Sequence, residues 1–160
     1  MSHGGDRSHA SALERRVTSA EPAQHRELEQ RLIAVLERPE LTGAGRLFVC
    51  RMLALVGSAA CVPVVARLLE SERTADNARV ALDGIADASV DAAYRRALDA
   101  LRGAAKAGLI GSMAMRGDRA ALGALSEIAK DARESSMVKT AAERAVQRLE
   151  RMARGEEEVR

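Results

Sequence analysis

The stretch Gly57-Ser58-Ala59-Ala60-Cys61-Val62-Pro63-Val64-Val65-Ala66-Arg67-Leu68 returns sixty positions later, from residue 57 to residue 117. There it reads Gly117-Asp118-Arg119-Ala120-Ala121-Leu122-Gly123-Ala124-Leu125-Ser126-Glu127-Ile128. Val62, Val65 and Leu68 find Leu122, Leu125 and Ile128, and the residues before them keep register, with Val49, Cys50, Leu53, Ala54 and Leu55 against Leu109, Ile110, Met113, Ala114 and Met115. A third copy lies midway: Val80, Leu82, Ile85 and Asp87 align with Cys50, Met52, Leu55 and Gly57, and after a one-residue deletion Val90, Ala93, Tyr94 and Ala97 continue the stripe. A period of about 30 residues is that of a helical hairpin too small to bury its own apolar face, so that neighbouring copies must stack.

The apolar spacing agrees. Leu28, Leu32, Val35 and Leu36 fall at i, i+4, i+7 and i+8 and predict a helix over 23–38, which Pro39 ends. Thr42 is placed to cap a helix to Gly57, which suits a left-handed C-terminal cap, and Ser58 to cap a helix to about Ser71. Thr74, Asp87, Asp118 and Ser135 or Ser136 open four more, with another between Gly103 and Gly117. Ser11 and Glu14 form a capping-box pattern for a short helix to Val17, preceded by a polar arm over 1–9. Turns of two to four residues make these helices antiparallel neighbours. Alanine dominates the apolar residues, Phe48 and Tyr94 are the only aromatics, and nothing alternates as a strand would.

The pattern of a turn Gly, a capping Asp or Ser, then alanine, valine, proline and leucine resembles HEAT repeats, particularly the short bacterial type also found in phycobilisome-lyase-like proteins. Gly57 to Leu69, with Pro63 in the expected place, matches best; Gly117 to Ala129 follows, with Gly123 in place of the proline. The resemblance covers residues 42–150: three repeats and the first helix of a fourth, with helix 23–38 as the second helix of an incomplete leading repeat. It implies an all-α fold, a right-handed α-solenoid of stacked antiparallel hairpins, with about seven helices plus a possible N-terminal one. The expected organisation is a flexible arm with a possible short helix over 1–22, a repeat domain over 23–152 and a charged tail over 153–160. An unfinished last pair is what a segment of a larger protein would show.

Little in the chain suggests chemistry. His3, His9 and His25 lie outside the repeats, whereas a catalytic histidine is held by packing and a second group. Met1-Ser2-His3 could chelate copper through a free amine, but loss of Met1 before Ser2 would remove that spacing. Cys50 and Cys61 sit in apolar runs without metal-type spacing and read as buried thiols. Asp83 and Asp87 share a helical face, although capping accounts for Asp87 better than acid–base pairing. Gly103, Gly108 and Gly111 are followed by no P-loop lysine and serine; Gly108 and Gly111 instead suit close helix packing. No catalytic residue, cofactor or metal is expected.

Charge is balanced, 25 basic residues against 23 acidic, with 11 and 10 of them in residues 1–80, which points to neither nucleic acid nor membrane. No run reaches the ~20 apolar residues of a membrane span, and the N-terminus lacks the apolar core of a signal peptide, so a cytoplasmic location is expected. In the family resembled, second helices line the concave face. That implies a surface carrying Arg67 and Glu70, then Arg95, Arg96 and Asp99, then Glu127 and Lys130: a mixed-charge groove for a protein segment, or an ordinary solvated face. The expected function is a non-catalytic interaction or scaffold module with a protein partner. A nucleic-acid binder using Arg67, Arg95, Arg96 and Lys130 as a basic ridge and a lyase-type HEAT-like enzyme are the alternatives. The apolar stripe on the last helix also raises a homodimer through that helix.

Overall fold

The computed structural model describes the backbone of residues 5–155 and the side chains of residues 10–155. The expectations for Met1-Ser2-His3, for the side chain of His9 and for Glu156-Glu157-Glu158 lie outside them. The described residues form nine α-helices and no strand: α1 (Gly5–Thr18), α2 (Pro22–Leu36), α3 (Gly43–Val56), α4 (Val62–Ala66), α5 (Ala75–Leu82), α6 (Ala88–Ala97), α7 (Gly103–Arg116), α8 (Leu122–Lys130) and α9 (Ser136–Ala153). None of them is long and apolar enough to cross a membrane.

Local chemistry sets most of the boundaries. Pro22 opens α2, where a missing N–H costs nothing, and Gln24 Oε1 accepts the Glu21 N–H at 3.1 Å. Thr42 Oγ1 accepts the Gly45 N–H at 3.1 Å, Asp87 Oδ1 the Ser89 N–H at 2.8 Å, and Ser135 Oγ the Val138 N–H at 3.3 Å, so three expected caps form. Ser58 Oγ likewise accepts the Ala60 N–H at 3.2 Å.

Four local expectations are corrected. Gly57 is not left-handed: φ is −71° and ψ 150°, extended values, and glycine is needed because a Cβ would collide with the Leu53 carbonyl oxygen. The left-handed cap is Gly117, with φ 74° and ψ 30°. Thr74 does not cap α5; its hydroxyl donates to the Leu68 carbonyl at 2.6 Å, fastening the preceding turn. The continuous helix expected over 58–71 is instead a 3₁₀ turn (Ala59–Cys61), α4 and a second 3₁₀ turn (Arg67–Glu70). Finally, the first helix begins at Gly5 and places Ser11 in its interior.

The apolar stripes meet in one core. α3 packs on α5, α5 on α7 and α7 on α9, while α4 packs on α6, α8 on α9, and α2 and α1 both on α3. Leu53, Leu82, Leu109, Ile110, Met113 and Leu149 are fully enclosed, each burial contributing roughly 1.5–3 kcal/mol before entropy is charged against it. Small residues set the spacing: α5 contributes Ala75, Ala78 and Ala81 to the core, and a Cβ on Gly84 would stand 2.7 Å from the Ala54 carbonyl oxygen. Gly108 makes room for the Arg79 guanidinium, but Gly111 faces open space and mediates no close packing. Tyr94 is the one aromatic buried outright, its hydroxyl donating to Asp83 Oδ1 at 2.7 Å.

On α9, Val138, Ala142, Ala145 and Leu149 are buried, and the helix packs on α7 and α8. Of the stripe that raised a homodimer, these four residues are buried within the chain and Ala141 and Val146 partly so. Outward, α9 presents Thr140, Glu143, Arg144, Gln147, Glu150 and Arg151, with Met137 at its start.

Candidate binding groove

The end of α6, the start of α7, α8 and the turn before α9 enclose a groove of about 770 Å³. Arg95, Asp99, Glu127 and Lys130, four of the residues picked out by helical position, line it together. Arg67, Glu70 and Arg96 do not line it; all three are exposed, and Arg67 pairs with Glu37 at 3.6 Å. Leu98, Ala124 and Ile128 supply the apolar part of the lining.

The remaining walls are charged residues that helical position did not indicate. Arg102 precedes α7, and its Nη1 donates to the carbonyls of Asp99 at 2.7 Å and Leu101 at 2.8 Å, satisfying acceptors left over where α6 ends. Lys106, on the first turn of α7, is only 4% exposed and pairs with Glu134 from the turn before α9. In the same turn Arg133 grips Asp131 through Nε at 3.0 Å and Nη2 at 2.9 Å. These bonds, and the Arg133 backbone N–H at 2.9 Å, hold the Asp131 carboxyl at about 2. The cluster of Asp131, Arg133 and Glu134 was visible as an unusually charged turn, but nothing local in it specified Lys106 as a partner.

Behind the groove, Arg95 pairs with Asp118, whose carboxylate is 4% exposed. Asp118 was expected to cap the next helix; it makes no capping bond and serves the ion pair instead. Its Oδ2 is buried without a hydrogen-bond partner, while Oδ1 takes the Arg95 Nη1–H.

Both cysteines are buried. Burial pushes the Cys50 thiol up to about 11, although Arg46 pulls it down. Cys61 rises to about 12, again by burial, with the charge of Glu29 adding to the shift. Both thiols are buried and protonated at neutral pH, the opposite of what a nucleophile requires. Asp83 receives the Tyr94 hydroxyl and, at 2.9 Å, the Ser112 hydroxyl. His25 lies 3.3 Å from the Ala20 carbonyl oxygen. Among the described residues no three His, Cys, Asp or Glu side chains are placed to hold a metal ion.

Among the described residues, fold and site together make an all-helical protein with a mixed-charge groove, its charges largely braced by neighbours. Compared with protein families, characterised proteins and solved structures, the chain gives no match.

Proposed function

We propose that this chain is a non-catalytic protein-interaction module, a HEAT-like α-solenoid that receives a segment of a partner protein in the groove between α6 and α8. The succession α3, α5, α7, α9 and the packing of α4 on α6 support a stacked-hairpin architecture; its right-handed sense comes from the resemblance. On this reading α1, which packs on α3, is the first helix of the leading repeat. Free buried thiols suit a reducing, cytoplasmic compartment.

One observation carries the functional reading: Arg95, Asp99, Glu127 and Lys130, spread over 36 positions from residue 95 to residue 130, converge on a single groove with an apolar strip between them. A groove of that size with apolar surface and a few placed polar groups is what a binding site offers. The basic-ridge alternative is weaker. Arg67 and Arg96 stand outside the groove, Asp99 and Glu127 interrupt its cations, and no aromatic side chain lines it to stack bases.

The test is affinity capture with the tagged chain, with and without nuclease, repeated with Ala124→Trp and Lys130→Ala combined, which fills the groove and removes one of its cations. These two side chains are exposed, so the variant should melt as the wild type does. A partner held by the wild type despite nuclease and lost by the variant is the expected result. Capture that collapses with nuclease would move the assignment to nucleic acid, and capture undiminished by the variant would remove the groove.

A further inference from the structure

We propose, on the reading that the groove takes a partner segment, that it selects an acidic one, recognising carboxylates through Arg95 and Arg102 while apolar side chains of the same segment lie on Leu98, Ala124 and Ile128. Both arginines are held from within by a single terminal nitrogen. Arg95 uses Nη1 on Asp118, and Arg102 uses Nη1 on the two carbonyls at the end of α6. In each, the Nε–Nη2 edge carries no bond among the described residues, and that edge is the planar fork that fits a carboxylate side-on. A guanidinium already fixed in place loses little further freedom on binding, which favours ligation there over ligation by an unanchored side chain.

The acids around the groove are arranged differently. Of the four that line it, Asp131 is gripped by Arg133 and Glu134 by Lys106. The other two, Asp99 and Glu127, are exposed and, among the described residues, held by no bond to their carboxylates. They stand in the way of a continuous polyanion, whose phosphates would have to pass both. A peptide can instead set its carboxylates opposite the arginines and turn apolar residues to the strip. The braced forks and the apolar strip therefore favour an acidic protein segment over a nucleic acid.

The experiment is selection of a random dodecapeptide phage library on the intact chain, followed by binding of the enriched peptides to two variants. Arg102→Glu with Lys130→Glu reverses charge on the basic side of the groove. Asp99→Asn with Glu127→Gln removes the two loose acids and, touching only exposed side chains, reports even should the first variant fold poorly. The expected result is enrichment of peptides interspersing Asp or Glu with Leu, Ile or Val. These should bind the first variant at least 10-fold more weakly and the second several-fold more tightly. Enrichment of basic or charge-indifferent peptides that still lose binding in either variant would overturn the carboxylate proposal and leave the groove standing. Enrichment indifferent to both variants, or no enrichment, would overturn both. A 20-base-pair duplex that binds the wild type and is released by Arg102→Glu with Lys130→Glu would overturn it in favour of nucleic acid.

Discussion

Glu29 receives both the backbone N–H of Ser58, at 2.7 Å, and its hydroxyl, at 2.9 Å, across an interval of 29 residues. Glu29 is 3% exposed, so these bonds must stand in for lost water. The same interval separates Ser112 from Asp83, whose carboxylate takes the Ser112 hydroxyl at 2.9 Å. In both cases an acid on one helical unit accepts from a serine on the next.

Glu29→Ala leaves the Ser58 N–H without its acceptor and is expected to cost about 1–3 kcal/mol of unfolding free energy. Urea denaturation measures it. A double-mutant cycle with Ser58→Ala should return a coupling well above the ~0.5 kcal/mol seen for independent sites.

Lys106 and Glu134 form a pair that is nearly enclosed, 4% and 13% exposed. Lys106→Ala abandons the Glu134 charge and should destabilise by roughly 3–5 kcal/mol, whereas replacing both with Met and Leu should restore most of the loss. Thermal melts of the three proteins decide the matter. A single variant as stable as the double would show that the charges are not coupled.

Two glycines on neighbouring helical segments should respond in opposite directions. Gly84→Ala drives a methyl to 2.7 Å from the Ala54 carbonyl oxygen, backbone that cannot step aside, and should cost about 1–3 kcal/mol as α3 and α5 part. Gly111→Ala lies inside α7 with open space before it and should stabilise by up to about 1 kcal/mol through helix propensity. Chemical denaturation of both variants gives the signs.

Alkaline pH should unfold the protein through its thiols. Their folded values, about 11 for Cys50 and about 12 for Cys61, stand above the 9.0 of a solvent-exposed thiol. Between pH 9 and 12 the unfolded chain has released protons that the folded one retains. Their contribution is thus complete below pH 9 and disappears as pH climbs through the folded values. Stability measured from pH 8 to 11 should fall, less steeply in Cys61→Ala, and a thiol reagent at pH 8 should label neither cysteine until denaturant is added.

Which features were legible in the sequence follows from how far apart the responsible atoms lie. Thr42, Ser58, Asp87 and Ser135 cap through donors two or three residues away, so their roles could be read locally. Asp118 looks the same locally, yet its partner Arg95 is 23 residues distant and nothing nearby announces it. Val62, Val65 and Leu68 recur at intervals of three, which fits a 3₁₀ turn as well as an α-helix over so short a run; the period could not separate the two. In the groove, helical position supplied Arg95, Asp99, Glu127 and Lys130. Arg102, Lys106, Asp131, Arg133 and Glu134 come from turns and a helix start, which the packing of α7 and α8 on α9 brings together.

The intervals across which the polar clasps close have a temporal meaning. Arg95 to Asp118 spans 23 positions, Lys106 to Glu134 spans 28, and Arg148 to the Ala114 carbonyl spans 34. A chain leaving the ribosome could seal Glu29 to Ser58 well before Asp83 and Ser112 have both emerged. Assembly from the N-terminus, one unit settling on the last, needs no segment held open for a distant mate, and such short-range wiring belongs to proteins that fold fast.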